Sequence, residues 1–96
     1  MFLISLQYKR PLTEVDAHLP AHVEYLKSQY ATGNFLLSGR KNPRTGGIIF
    51  SSVKTREALK AIIEQDPFYR HEIADYDIVE FSPTMAGAGL EFLIDK

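Results

Sequence analysis

The chain contains no cysteine, which excludes disulfides, thiolate metal sites and thiol nucleophiles. It has no excess of charge of either sign. Eleven Lys and Arg face twelve Asp and Glu, for a formal net charge of −1. A nucleic-acid partner calls for a basic footprint and is therefore not expected. No apolar run approaches the 18 or so residues that span a bilayer. The opening Met1-Phe2-Leu3-Ile4-Ser5-Leu6 lacks the basic n-region and cleavage site of a secretory signal. The expectation is a cytoplasmic protein without a membrane partner. Internal repeats, low-complexity tracts and Gly-rich phosphate loops are also missing: Gly46-Gly47 has neither a following Lys-Ser/Thr nor GxGxxG spacing.

What remains is an ordinary globular composition, 45% hydrophobic and 24% charged over 96 residues. A chain of this length forms one domain and buries about 60–65% of its unfolded surface. Phe2 to Tyr8 is apolar enough for a central strand, and Pro11 after Lys9-Arg10 ends it. Thr13-Glu14-Val15-Asp16 resembles a capping box, with Asp16 in place of Glu or Gln. Pro20 would lie too deep in a helix begun at Thr13, so the main helix is placed over Leu19–Ala31. Leu19, Val23, Leu26 and Tyr30 would form its buried stripe, with His22 beside them.

Gly33 ends this helix, and Phe35–Ser38 reads as the second strand. Gly39 to Gly47 forms a hairpin whose exposed tip carries Arg40, Lys41 and Arg44, and Ile48–Val53 is the third strand. Thr55 caps a second helix with Ala58, Leu59, Ile62 and Ile63 turned inward. Asp66 precedes Pro67, a pairing that stops one helix and starts another, here short and reaching about Glu72. Tyr76–Phe81 alternates as the fourth strand. The order strand, helix, strand, strand, helix, strand is the split βαβ of an α+β, ferredoxin-like fold: an antiparallel sheet with both helices on one face. The other face would expose apolar side chains, which points to a homodimer. Residues 82–96 form an extension, with Leu90–Ile94 as an apolar coda that docks on this chain or a neighbour.

Two candidate roles stand side by side for Asp66, helix cap and partner of His22, and two for His22, passive packing and proton transfer. A carboxylate beside a histidine fixes its tautomer and stabilises its charged form, so the pair could act as general acid and base. His18 and His22 are four apart, but Pro20 between them and the lack of a third ligand leave no expected metal site. Ser38 fits a hydrogen-bonding role in a pocket better than that of a nucleophile.

The ordered set His22…Leu26, Gly33-x-Phe-Leu-Leu-Ser38-Gly39, Gly46-Gly47 and Asp66-Pro67-Phe68 resembles the YCII-related family over Met1 to about Phe81. The resemblance implies a ferredoxin-like fold in dimers like α/β-barrels. It implies a site of His22 and Asp66 in a pocket near Ser38 and Gly39, with Phe68 beside them. It also implies cofactor-free chemistry of the lyase or dehydrochlorinase type on chlorinated hydroxyaromatics. Relatives commonly carry Pro where this chain has Arg40, and Arg40 with Lys41 and Arg44 suits an anionic or phenolic small molecule. Two other classes fit the same residues: a non-catalytic dimer that binds a small ligand, and a cofactor-free monooxygenase on a similar α+β fold.

Overall fold

The alternation expected for the strands appears as an antiparallel sheet in the computed structural model, which describes residues 1–94. Strand β1 (Phe2–Tyr8) leads into helix α1 (Leu12–Ala31), then strands β2 (Phe35–Arg40) and β3 (Gly46–Ser51). Helix α2 (Arg56–Ile63), the short helix α3 (Pro67–Arg70) and strand β4 (Ala74–Glu80) follow, with a 3₁₀ turn at Glu91–Leu93. The sheet order is β2-β3-β1-β4 with every neighbouring pair antiparallel. The architecture is the expected α+β, ferredoxin-like one. Among the described residues no helix is long and apolar enough to cross a membrane. Of the extension expected over residues 82–96, Asp95 and Lys96 lie outside the described residues.

The register explains which face is buried. Phe2, Ile4 and Leu6 of β1 are at most 2% exposed, and Ile4 faces Ile49 on one side and Ile78 on the other. Val15 and Tyr25 from α1, Leu59 and Ile63 from α2, and Phe68 from α3 close over them as one core. Each such side chain stabilises the fold by about 1.5–3 kcal/mol. Gly46 is where β3 comes closest to β1: a Cβ there would stand 1.7 Å from the Leu6 carbonyl oxygen, so only glycine fits. The residues between, including Leu3, Phe50 and Val79, share the opposite face by register. Leu37 and Val79 on that face are 57% and 49% exposed.

Helix α1 departs from expectation in two ways. It begins at Leu12, not Leu19, and Pro20 lies inside it; Thr13 provides no cap, because Pro11 holds the N-cap position without a side-chain bond. Pro20 costs about 3 kcal/mol in a helix interior. Burying Val15 completely recovers about 1.5–3 kcal/mol of that, and the backbone bonds of the upstream turns add to it. Pro20, Asp16 and Ala17 are exposed, so water can serve the carbonyl that Pro20 leaves without a donor. The second departure is rotational. The buried stripe is Val15, His22, Tyr25 and Gln29, whereas Val23 and Tyr30 are each 37% exposed.

Apolarity alone misplaces that stripe because its polar members are all satisfied. Tyr25 donates to the Ile62 carbonyl at 2.9 Å, Gln29 accepts from Asn34 at 2.9 Å, and His22 meets Asp66. The strand limits also shift: β2 runs on to Arg40, β3 covers Gly46–Ser51, and β4 starts at Ala74. Thr55 caps α2 through the Ala58 amide, as expected, although Ala58 itself is exposed and Leu59 and Ile63 carry the inward face.

Candidate active site

Asp66 occupies the junction between α2 and α3, and the turn chemistry puts it there. Pro67 at the first helical position needs an extended residue before it, and Asp66 has φ −70° and ψ 125°. Its Oδ1 accepts the Phe68 amide at 2.9 Å, which caps α3. The same oxygen lies 2.7 Å from His22 Nδ1, and Oδ2 accepts the Tyr76 hydroxyl. Asp66 is 0% exposed, so this carboxyl is buried with three donors around it. Buried polar groups are stable only when partnered in this way. The cap and the histidine contact are not alternatives; one carboxyl makes both.

His22 is 7% exposed and its ring stacks face to face on Phe68, with centroids 3.9 Å apart and planes at 4°. Phe68 in turn meets Tyr8 edge-on at 6.0 Å. The imidazole is held on three sides: Asp66 through Nδ1, Phe68 across its face, and Tyr25 beyond, 6.2 Å away. Nδ1 donates when it carries the proton, which leaves Nε2 as the acceptor of the neutral ring. Nε2 has no hydrogen-bond partner among the described residues, and no buried side-chain polar atom there lacks one. Nε2 is therefore open to the cleft that His22 lines.

The cleft has a volume of about 390 Å³, within the range of small-molecule sites. Leu19, Val23 and Leu26 of α1 form one wall, and Leu6, Ile49 and Phe68 the other. Three residues of the stripe expected to be core thus line a cavity, with Leu19 and Leu26 also packed against the core edge. Ser38, Gly39 and Arg40 line the cleft as well, so His22 and all four expected binding residues converge on it. Asp66 does not; it stands behind His22, in the protein interior. Ser38 pairs with the Tyr30 hydroxyl, a hydrogen bond that ties β2 to α1.

The basic hairpin is less exposed than its composition suggests. Arg44 folds back to the cleft and meets Asp16 of α1 at 2.5 Å. The hydrogen bond to Asp16 holds the guanidinium above even its ordinary high pKa, and Tyr8 adds to the effect. His18 does not approach His22 as a second ligand; it stacks on His71, 4.3 Å away. No group of three His, Cys, Asp or Glu able to hold a metal occurs among the described residues.

Tyr76 is the member of the site that the sequence pattern passed over. Alternation groups Tyr76 with Ile78 on one side of the strand, and no local signal says which side is covered. The register settles it: Tyr76 opposes Leu6, on the helix-covered face. Burial, and then the nearby Asp66 charge, push its hydroxyl well above the ordinary phenol value of 10.0, and the same two causes raise Tyr25. A raised folded value means that this stabilisation is whole below pH 10 and is lost as pH rises beyond it, because only the unfolded chain releases the proton. Above pH 10 the unfolding free energy of the wild type should fall more steeply than that of Tyr76→Phe, by about 1.4 kcal/mol per pH unit. Urea titrations at pH 9 to 11.5 measure this, and parallel curves for the two proteins would contradict the assignment.

A family model described as the YCII-related domain matches residues 1–82. The chain belongs to the YCII-related family. No curated protein is similar enough to match it. Among solved structures this YCII-related chain is similar to 5-chloro-2-hydroxyhydroquinone dehydrochlorinase from Burkholderia phenoliruptrix AC1100, determined in complex with 2,5-dihydroxybenzoquinone. The TM-score is 0.71 at 17% identity, over 86% of this chain and 95% of that one. At that identity the likeness is one of fold.

Proposed function

We propose that this YCII-related protein is a small acid–base enzyme of the lyase type, acting on a compact hydroxylated or carbonyl compound. The observation that carries the reading is the 2.7 Å contact of His22 Nδ1 with buried Asp66, which leaves Nε2 facing the cleft. In this scheme Nε2 takes a proton from the substrate and Asp66 stabilises the imidazolium that results. In a dehydrochlorination the electron pair left behind moves into the ring system as the C–Cl bond breaks. Chloride leaves, and the net change is loss of HCl. Side chains alone can complete such a proton transfer. Ser38, Gly39, Arg40 and Phe68 border the same cleft and are assigned to substrate binding. General acid–base help supplies about 10²–10⁴-fold, and positioning in the cleft supplies the rest.

The fold neighbour's substrate and bound quinone define the experiment. Purified protein is mixed with 5-chloro-2-hydroxyhydroquinone and chloride release is followed, with 2,5-dihydroxybenzoquinone as a competing ligand. Saturable release, inhibited by the quinone, is the expected result. No release above the spontaneous rate would overturn the reading, whether or not the quinone binds.

The active unit we propose is a homodimer. Among the described residues no α-helix packs on the sheet face carrying Leu3, Phe50 and Val79, where Phe50 and Phe81 pack edge to face, 6.4 Å apart. A second copy would cover this face with the self-complementary contact of a two-fold dimer. Light scattering at micromolar concentration should give twice the 10.9 kDa chain mass; a single-chain mass would remove the dimer.

A further inference from the structure

The cleft is chemically lopsided. It is lined by His22, stacked on Phe68, and by Arg44, paired with Asp16. Asp16 and His22 are six residues apart on α1, about 9 Å along the helix axis. Leu19 stands between them on α1 and lines the cleft with them, and a cavity of about 390 Å³ is at the small end of ligand sites, which suits a single-ring compound. Arg44 is also half-engaged. Asp16 Oδ1 meets one terminal nitrogen, and among the described residues the guanidinium forms no other ion pair. Its remaining N–H groups can form the two-pronged bond that a carboxylate or phenolate accepts.

We propose that Arg44 is the specificity-determining residue of the cleft, selecting single-ring anions, and that Asp16 is a built-in stand-in for the ligand's anionic group. The ligand then lies with its charge at the hairpin and its reactive end at His22. Asp16 suits the stand-in role because its side chain is 55% exposed, against 30% for Arg44. An exposed partner gives up its ion pair at little cost, since water takes over the carboxylate. Arg44 lines the cleft and is the less exposed of the two. Arg40 also borders the cleft but is exposed and forms no ion pair among the described residues, so it contributes general attraction rather than selection. The inference rests on the acid–base reading only for which end of the cleft is reactive.

Benzoate and its neutral isostere benzamide test this, with affinities measured by NMR titration of the full chain. Wild type should prefer benzoate by at least about tenfold, the worth of one charge-assisted hydrogen bond. Arg44→Gln should bring the ratio close to one, Arg44→Lys should keep part of it, and Lys41→Gln, outside the cleft lining, should keep most of it. Asp16→Asn should tighten benzoate by about two- to fivefold, because the stand-in is gone. A ratio that survives Arg44→Gln, or collapses in Arg40→Gln instead, overturns the proposal. So does the absence of saturable benzoate binding, or weaker binding to Asp16→Asn. None of these readouts involves turnover. A preserved charge preference in a protein that releases no chloride would defeat the acid–base reading and leave the Arg44 assignment standing.

Discussion

Replacing Asp66 with alanine should lower the unfolding free energy by about 3–5 kcal/mol, the scale of breaking a buried, hydrogen-bonded charge. The side chain is fully buried and three donors end on it: His22 Nδ1, the Phe68 amide and the Tyr76 hydroxyl. Loss of the cap alone costs about 0.5–2 kcal/mol. The two remaining donors would face a void, at about 1–3 kcal/mol for each buried group left unpaired. Against a total stability of about 5–15 kcal/mol for a domain of this kind, the loss is a large share. Asparagine is the informative contrast. Its Oδ1 can still accept from His22 and Phe68, and its amide can donate to the Tyr76 oxygen. Asp66→Asn should therefore cost only about 1 kcal/mol, the net worth of an ordinary hydrogen bond. Urea unfolding of both variants decides the matter. An Asp66→Ala protein within about 1 kcal/mol of wild type would reduce Asp66 to a solvent-side cap.

That one residue also shows how far local sequence signals reach. Asp66-Pro67 was legible as a helix boundary because the preference is local: proline restricts the residue before it whatever the tertiary context. The strand order was legible for a similar reason, since alternation and turn residues are read over a few positions. The face of α1 was not. A stripe of Leu19, Val23, Leu26 and Tyr30 is the apolar choice, yet the buried positions are Val15, His22, Tyr25 and Gln29. Their polar atoms find partners 5 to 44 residues away in sequence, and no local pattern reports that. Tyr76 and the return of Arg44 onto Asp16 were hidden in the same way. The family resemblance points to Ser38 and Gly39 and the departure from it to Arg40, and all three line one cleft. What the resemblance could not provide is the reason His22 is buried without penalty: one face lies on Phe68 and one nitrogen on Asp66.

The largest effect on activity should come from His22→Asn. The asparagine amide nitrogen can stand close to where Nδ1 does, so Asp66 keeps a donor while Nε2 and the ring are removed. If Nε2 carries the proton, the rate of chloride release should fall by about 10²–10⁴-fold, the range for loss of a positioned general base. Stability should fall much less than in Asp66→Ala, because the buried carboxyl remains partnered; what is lost is the stacked contact with Phe68 at 3.9 Å. Asp66→Asn should lie between wild type and His22→Asn in rate, since the ring stays but the charge that stabilises the imidazolium is gone. The ordering matters more than any single value. Passive packing of His22 predicts that both rates track the loss of stability, whereas proton transfer predicts a rate loss in two proteins that remain folded. Quinone affinity in His22→Asn should stay within a few-fold of wild type, because a base lost from the transition state need not weaken ground-state binding. A His22→Asn protein that releases chloride within about threefold of the wild-type rate would remove His22 from the chemistry and return it to the core.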